Sequence, residues 1–196
     1  MAGNYPDFNV TGQIGSNPIT PIGDNVMTQG LGFPLRPVST APGEPGLANI
    51  LAAQNDNDQI PAGLGIPLQV TYGPAQSTAS IDLSAAGEVT FLVDGAYLVI
   101  TNLYFVRTSS PGVSIMFLRF LLDGVQAGNP VAIEMDADET SQFQQFLLAG
   151  QVTAGTVLTC EVIRDSAENN DGQLEAFTST DGWGNAPSSI IRVLKF

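Results

Sequence analysis

The 196-residue chain carries six Lys and Arg against nineteen Asp and Glu, a formal net charge of −13, with no histidine and a single cysteine. That inventory excludes His-based triads, imidazole metal sites, Cys-rich zinc sites and an internal disulfide framework, and its acidity argues against nucleic acid as a partner. Only 13% of residues are charged, against about 25% in ordinary soluble domains, while 43% are hydrophobic, so the chain can bury a core and still leave uncharged surface for a partner.

Residues 1–74 hold 10 of the 13 prolines and 11 of the 21 glycines. Prolines at that density lack amide donors and fix φ, which forbids long helices and central strands. The segment therefore reads as an extended arm, with one or two helical turns expected within Gly46–Asn55 from the spacing of Leu47, Ile50 and Leu51. It differs from a charge-rich disordered tail, because it has six charged side chains and many scattered apolar anchors. Such an arm suits the grooves of another protein; the alternative is an arm folded back on its own domain. Met1–Pro6 shows no basic n-region or apolar h-region, so no secretory signal is expected.

The second part of the chain reads as strands. Expected strands are Gln69–Tyr72, Ala79–Leu83, Val89–Val93, Ala96–Arg107, Val113–Leu122, Pro130–Met135, Gln142–Leu148, Thr156–Arg164, Leu174–Ser179 and Ser188–Phe196. Turn pairs such as Asp94-Gly95, Asp123-Gly124 and Ala154-Gly155 punctuate them. Strands at this spacing, with no helical pattern between them, predict an all-β antiparallel sandwich or jelly roll over 75–196. The apolar runs Ala96–Ile100 and Ile115–Leu122 fall far short of the roughly 20 residues of a membrane helix, so no membrane partner is expected.

Two strands are apolar on both faces. Tyr97, Val99, Leu103 and Phe105 share one face, while Leu98, Ile100 and Tyr104 take the other. Met116, Leu118, Phe120 and Leu122 alternate with Ile115, Phe117, Arg119 and Leu121. One face packs the sandwich; the second predicts burial against the arm or another copy. At about 25 cal/mol per Å² of apolar area, four such side chains would contribute several kcal/mol to association. Arg119 on an apolar face is expected to pair with a carboxylate across that subunit interface.

The run Gly95-Ala96-Tyr97-Leu98-Val99-Ile100-Thr101-Asn102-Leu103-Tyr104-Phe105 resembles the Gly-x-Tyr strand of the tumour necrosis factor and C1q-like jelly rolls. Gln151–Leu158 is similar to the element in which a strand ends, a glycine turns and the next long strand begins. The closing Ser188–Phe196 strand is similar too. The resemblance covers about residues 80–196 and implies a homotrimer around a threefold axis. It places Leu98, Ile100 and Tyr104 at the axis, with Phe143 or Phe146 from a neighbouring strand, and Tyr97 and Val99 in the core. Virion trimers, including bacteriophage capsid decoration and head-fibre proteins, reuse this architecture.

Sites of chemistry are sparse. Glu134, Asp136, Asp138 and Glu139 form one acidic cluster and Asp165, Glu168 and Asp171 another. Both read as solvated loops, since Ala167–Gly172 only half matches a calcium loop and Thr178 stands where its closing glutamate belongs. Cys160, mid-strand between Leu158 and Val162, reads as a buried thiol. Trp183, among glycines, reads either as a ligand- or partner-docking residue or as a plug for the end of the sandwich. No enzyme activity and no cofactor are expected.

These features predict a virion structural protein on the outer capsid surface. It would be a homotrimeric decoration, cement or head-fibre protein held on the major capsid protein, or on another virion protein, by its arm, with Tyr5, Phe8, Phe33 and Arg36 as anchors. The alternative is a receptor-binding tip whose specificity sits in distal loops such as that of Trp183.

Overall fold

The computed structural model describes residues 50–108, 112–136, 139–166 and 171–196, and every regular element among them is a β-strand. In chain order these are β1 (Ile50–Asn55), β2 (Leu68–Gln69), β3 (Gln76–Ser77), β4 (Ile81–Leu83), β5 (Val89–Phe91), β6 (Gly95–Arg107) and β7 (Ser114–Leu122). There follow β8 (Val125–Met135), β9 (Ser141–Val152), β10 (Val157–Arg164), β11 (Gly172–Leu174), β12 (Phe177–Thr178), β13 (Asn185–Ala186) and β14 (Ser189–Lys195).

The antiparallel pairings nest: β1 with β14, β5 with β10, β6 with β9, and β7 with β8. That winding is a jelly roll. One sheet runs β1-β14-β6-β9, with β11 beside the end of β6; the other runs β3-β4-β5-β10-β7-β8, with β2 added along β10. The expected fold class, an all-β antiparallel jelly-roll sandwich, is the one the chain adopts.

Period-two alternation builds the core. Tyr97, Val99, Leu103 and Phe105 of β6 face Met116 and Leu118 of β7 and Leu158, Cys160 and Val162 of β10 in one buried cluster. The Asp123-Gly124 turn takes φ of 50° and 77° and joins β7 to β8 directly, since Leu122 pairs with Val125. Two successive positive φ angles give the type I′ geometry for which Asp-Gly is suited. Arg119 faces an irregularity: Leu118 pairs with Val131 but Phe120 with Ala127, so residues 128–130 bulge out of β8 opposite it.

The sequence expectation fails between residues 50 and 74. Ile50–Asn55 is a strand, not helical turns, and buries Leu51, Ala53 and Asn55 on alternate positions. Alanines at 52 and 53 favour helix locally, but six-residue pairing with β14 overrides that preference. Val70 and Tyr72 are fully buried in the same core. Gln59 ties the segment down: its Nε2 donates to the hydroxyls of Ser188 and Ser189 and its Oε1 accepts from the amide of Thr71 at 2.8 Å. The sandwich therefore begins well before residue 75, and the chain divides between Gly46 and Leu47. Tyr5, Phe8, Phe33 and Arg36 lie outside the described residues.

Candidate functional site: a carboxylate-free sheet face

Strand register assembles the outer face of the first sheet row by row. Ile50, Leu194, Leu98 and Ala149 form one row across β1, β14, β6 and β9. Ala52, Arg192, Ile100 and Leu147 form the next, then Gln54, Ile190, Asn102 and Gln145, and finally Tyr104 beside Phe143. None of the chain's nineteen acidic residues falls in these rows, and Arg192 is the one charged side chain among them.

The face is open. Phe143 is 59% and Leu147 62% exposed, and Ile50 is also exposed, while Leu98, Ile100 and Tyr104 are half-buried by their neighbours. Phe177 of β12 stands edge-on to Tyr104 at a ring separation of 4.9 Å and adds exposed apolar surface beside it. A polar band crosses it, where Gln145 Nε2 donates to Asn102 Oδ1 at 3.0 Å. Leaving this much apolar area in water is unfavourable, and burying it against another surface is the arrangement's evident chemistry.

The sequence-predicted interface residues separate into three places. Leu98, Ile100, Tyr104 and Phe143 share the face just described. Phe146 does not: three residues from Phe143, it has the opposite parity, turns toward the core and meets Phe120 edge-on at a ring separation of 6.4 Å. Phe117 and Arg119 lie on the outer face of the other sheet, lining a depression of about 290 Å³ with Pro67, Gln126, Pro130, Glu161 and Ile163. Arg119 finds its carboxylate within its own chain: Glu161 is its cross-strand partner, with Nη2 to Oε2 at 2.7 Å and Nε to Oε2 at 2.8 Å. Sequence reasoning missed Leu147, Ala149, Leu194 and Ile50. Antiparallel pairing with Ile100 and Leu98 would have found the first two.

Cys160 is buried, and burial pushes its thiol up to about 12, beside Tyr72, whose hydroxyl burial also raises well above its ordinary value. Asp136 Oδ1 accepts the amide of Glu139, and Asp171 accepts both the amide and hydroxyl of Thr108, so these carboxylates serve as loop caps. Asp138 and Glu168 lie outside the described residues. Among the described residues no three carboxylates or thiols gather in a metal-holding group.

Trp183 does not plug the sandwich. It sits between β12 and β13 at 91% exposure. The loop is closed by its own bonds, Ser179 N–H to Gly184 O at 2.9 Å and Asp181 N–H to Ser179 Oγ at 3.2 Å.

No protein-family model and no curated protein sequence matches the chain. Among solved structures, it is similar to the globular domain of zebrafish complement 1qA protein (10% identity, TM-score 0.42, 76% of this chain and 97% of that one). It is likewise similar to murine APRIL (13% identity, TM-score 0.46, 75% of this chain and 98% of that one), and both are TNF/C1q-like jelly rolls.

Proposed function

We propose that this chain is a homotrimeric virion structural protein, a capsid decoration, cement or head-fibre protein. The observation that carries self-association is the outer face of β1-β14-β6-β9, whose paired rows hold no carboxylate and one cation, Arg192, in a chain of net charge −13. A water-exposed surface of so acidic a protein would be expected to carry carboxylates; a face buried against other copies of an acidic chain favours their absence, because like charges brought together and desolvated are costly. Three copies, rather than two, rest on the resemblance of Gly95–Phe105 to the trimeric family.

The tether is assigned to residues 1–46, which hold seven prolines and four charged residues. Prolines lower the entropy lost on ordering, and sparse charge lowers the desolvation cost of docking on the capsid shell. The role is structural, without catalysis. To test it, the full chain and a variant lacking residues 1–46 are mixed with particles devoid of the protein. The full chain should decorate them and the shortened trimer should not; equal decoration by both would remove the tether. Deleting through residue 66 is not a fair test, since it removes β1 from the sheet.

A second reading, a receptor-binding tip, is favoured by one observation, the 91% exposure of Trp183 on a loop tip.

A further inference from the structure

The β12–β13 loop presents one flat aromatic surface, the indole of Trp183, which is 91% exposed. Gly182 and Gly184 flank Trp183 with φ of +77° and +90°, a backbone region in which other L-residues are strained. A Cβ built on either glycine meets no atom within 4 Å. The glycines are therefore required by backbone conformation rather than by crowding. The neighbouring side chains are short and polar: Thr180, Asp181 and Asn185 are all exposed. The tip is preorganised by the two hydrogen bonds that close it, not by contact with the sandwich.

We propose that this tip binds a neutral glycan, with the indole stacking on the C–H face of a pyranose ring and Thr180, Asp181 and Asn185 hydrogen-bonding its hydroxyls. Tryptophan with one apolar face and a polar surround suits a ligand that is apolar on its ring face and polar at its rim. Other ligands fit less well. A convex loop offers no groove for an extended peptide. Asp181 beside the indole, and an overall charge of −13, oppose docking on an anionic membrane or a sulfated or sialylated sugar. The inference rests on the second reading above, that specificity sits in this loop.

Trp183 is the chain's sole tryptophan, so its fluorescence reports this site alone. The full-length protein is titrated with neutral hexasaccharides of glucose, mannose, galactose and N-acetylglucosamine, and its mass is followed in parallel. At least one should shift or quench the emission saturably, and by calorimetry Trp183→Ala should weaken that binding about tenfold or more, with Trp183→Phe intermediate and the mass unchanged. Silence toward all four sugars, or binding indifferent to Trp183→Ala, overturns the proposal. So does emission already buried in the sugar-free protein, the sign that a second copy covers the indole. Should the sugars fail while Trp183→Ala still abolishes adsorption to cells, the glycan is wrong and the receptor reading stands.

Discussion

Ile100 on β6 lies directly across from Leu147 on β9, and both point away from the core that their strand neighbours fill. Leu147 is 62% exposed in the single chain. A charge placed at this pair would be desolvated in any assembly that covers the face but tolerated in a monomer. Ile100→Asp is accordingly expected to leave a folded sandwich with an unchanged circular dichroism spectrum, and to reduce the sedimenting mass from three chains to one. A variant that still sediments as the wild type does would exclude this face from the interface.

The Arg119–Glu161 pair supplies the matching control. Arg119 is 42% and Glu161 19% exposed on the side-chain level, so the pair is screened and its contribution is about 1 kcal/mol or less. Arg119→Met should lower stability by no more than that in urea denaturation, with the difference shrinking in high salt. It should leave the assembly mass untouched, because the pair is internal to one chain. Dissociation caused by Arg119→Met would place the interface on the other sheet.

Much of this architecture was legible in the sequence, and the failures share a cause. Strand alternation located β6, β7 and β10 to within a residue or two, and Asp123-Gly124 announced its hairpin, because those signals are local. β1 was misread since Ile50–Asn55 owes its conformation to β14, more than 130 residues away in sequence, and to no preference of its own. The apolar second faces of β6 and β7 were visible, but alternation along a strand does not say which sheet it joins. Ile100 and Arg119 were thus assigned to one surface when they lie on opposite sides of the sandwich. Phe143 and Phe146 were interchangeable until the register with Tyr104 and Thr101 separated them. Trp183 was recognised as exceptional, yet only its exposure distinguishes a docking residue from a plug.

Two glycines with the same φ separate crowding from backbone strain. Gly87 and Gly155 both sit at +89°, but a Cβ on Gly87 would lie 2.0 Å from the carbonyl oxygen of Val70, while one on Gly155 meets nothing. Gly155→Ala should cost about 1 kcal/mol, the price of the left-handed conformation. Gly87→Ala must in addition displace backbone and should cost about 3 kcal/mol or more. Equal losses in thermal or denaturant unfolding would mean that the approach of Val70 to Gly87 is relieved without cost.

Burial of Cys160, like that of Tyr72 beside it, makes stability fall at alkaline pH. Burial pushes the Cys160 thiol from the ordinary value of 9.0 up to about 12. Above pH 9 the unfolded chain therefore binds fewer protons than the folded one, and unfolding becomes progressively easier. The contribution is complete below pH 9 and is lost between 9 and 12, at about 1.4 kcal/mol per pH unit for each such group. Cys160→Ala should make that part of the stability profile shallower, leaving the slope above pH 10 that belongs to Tyr72. In the native protein the thiol should resist alkylation at pH 8 and react on unfolding; rapid native labelling would contradict its burial.

On the proposed function, the outer face of β1-β14-β6-β9 is covered by copies of the same chain. Sedimentation equilibrium of the purified full-length protein tests it without any assumption about a virion. A mass of three times 20.5 kDa, stable on dilution, is the expected result; a single-chain mass at every concentration would contradict it.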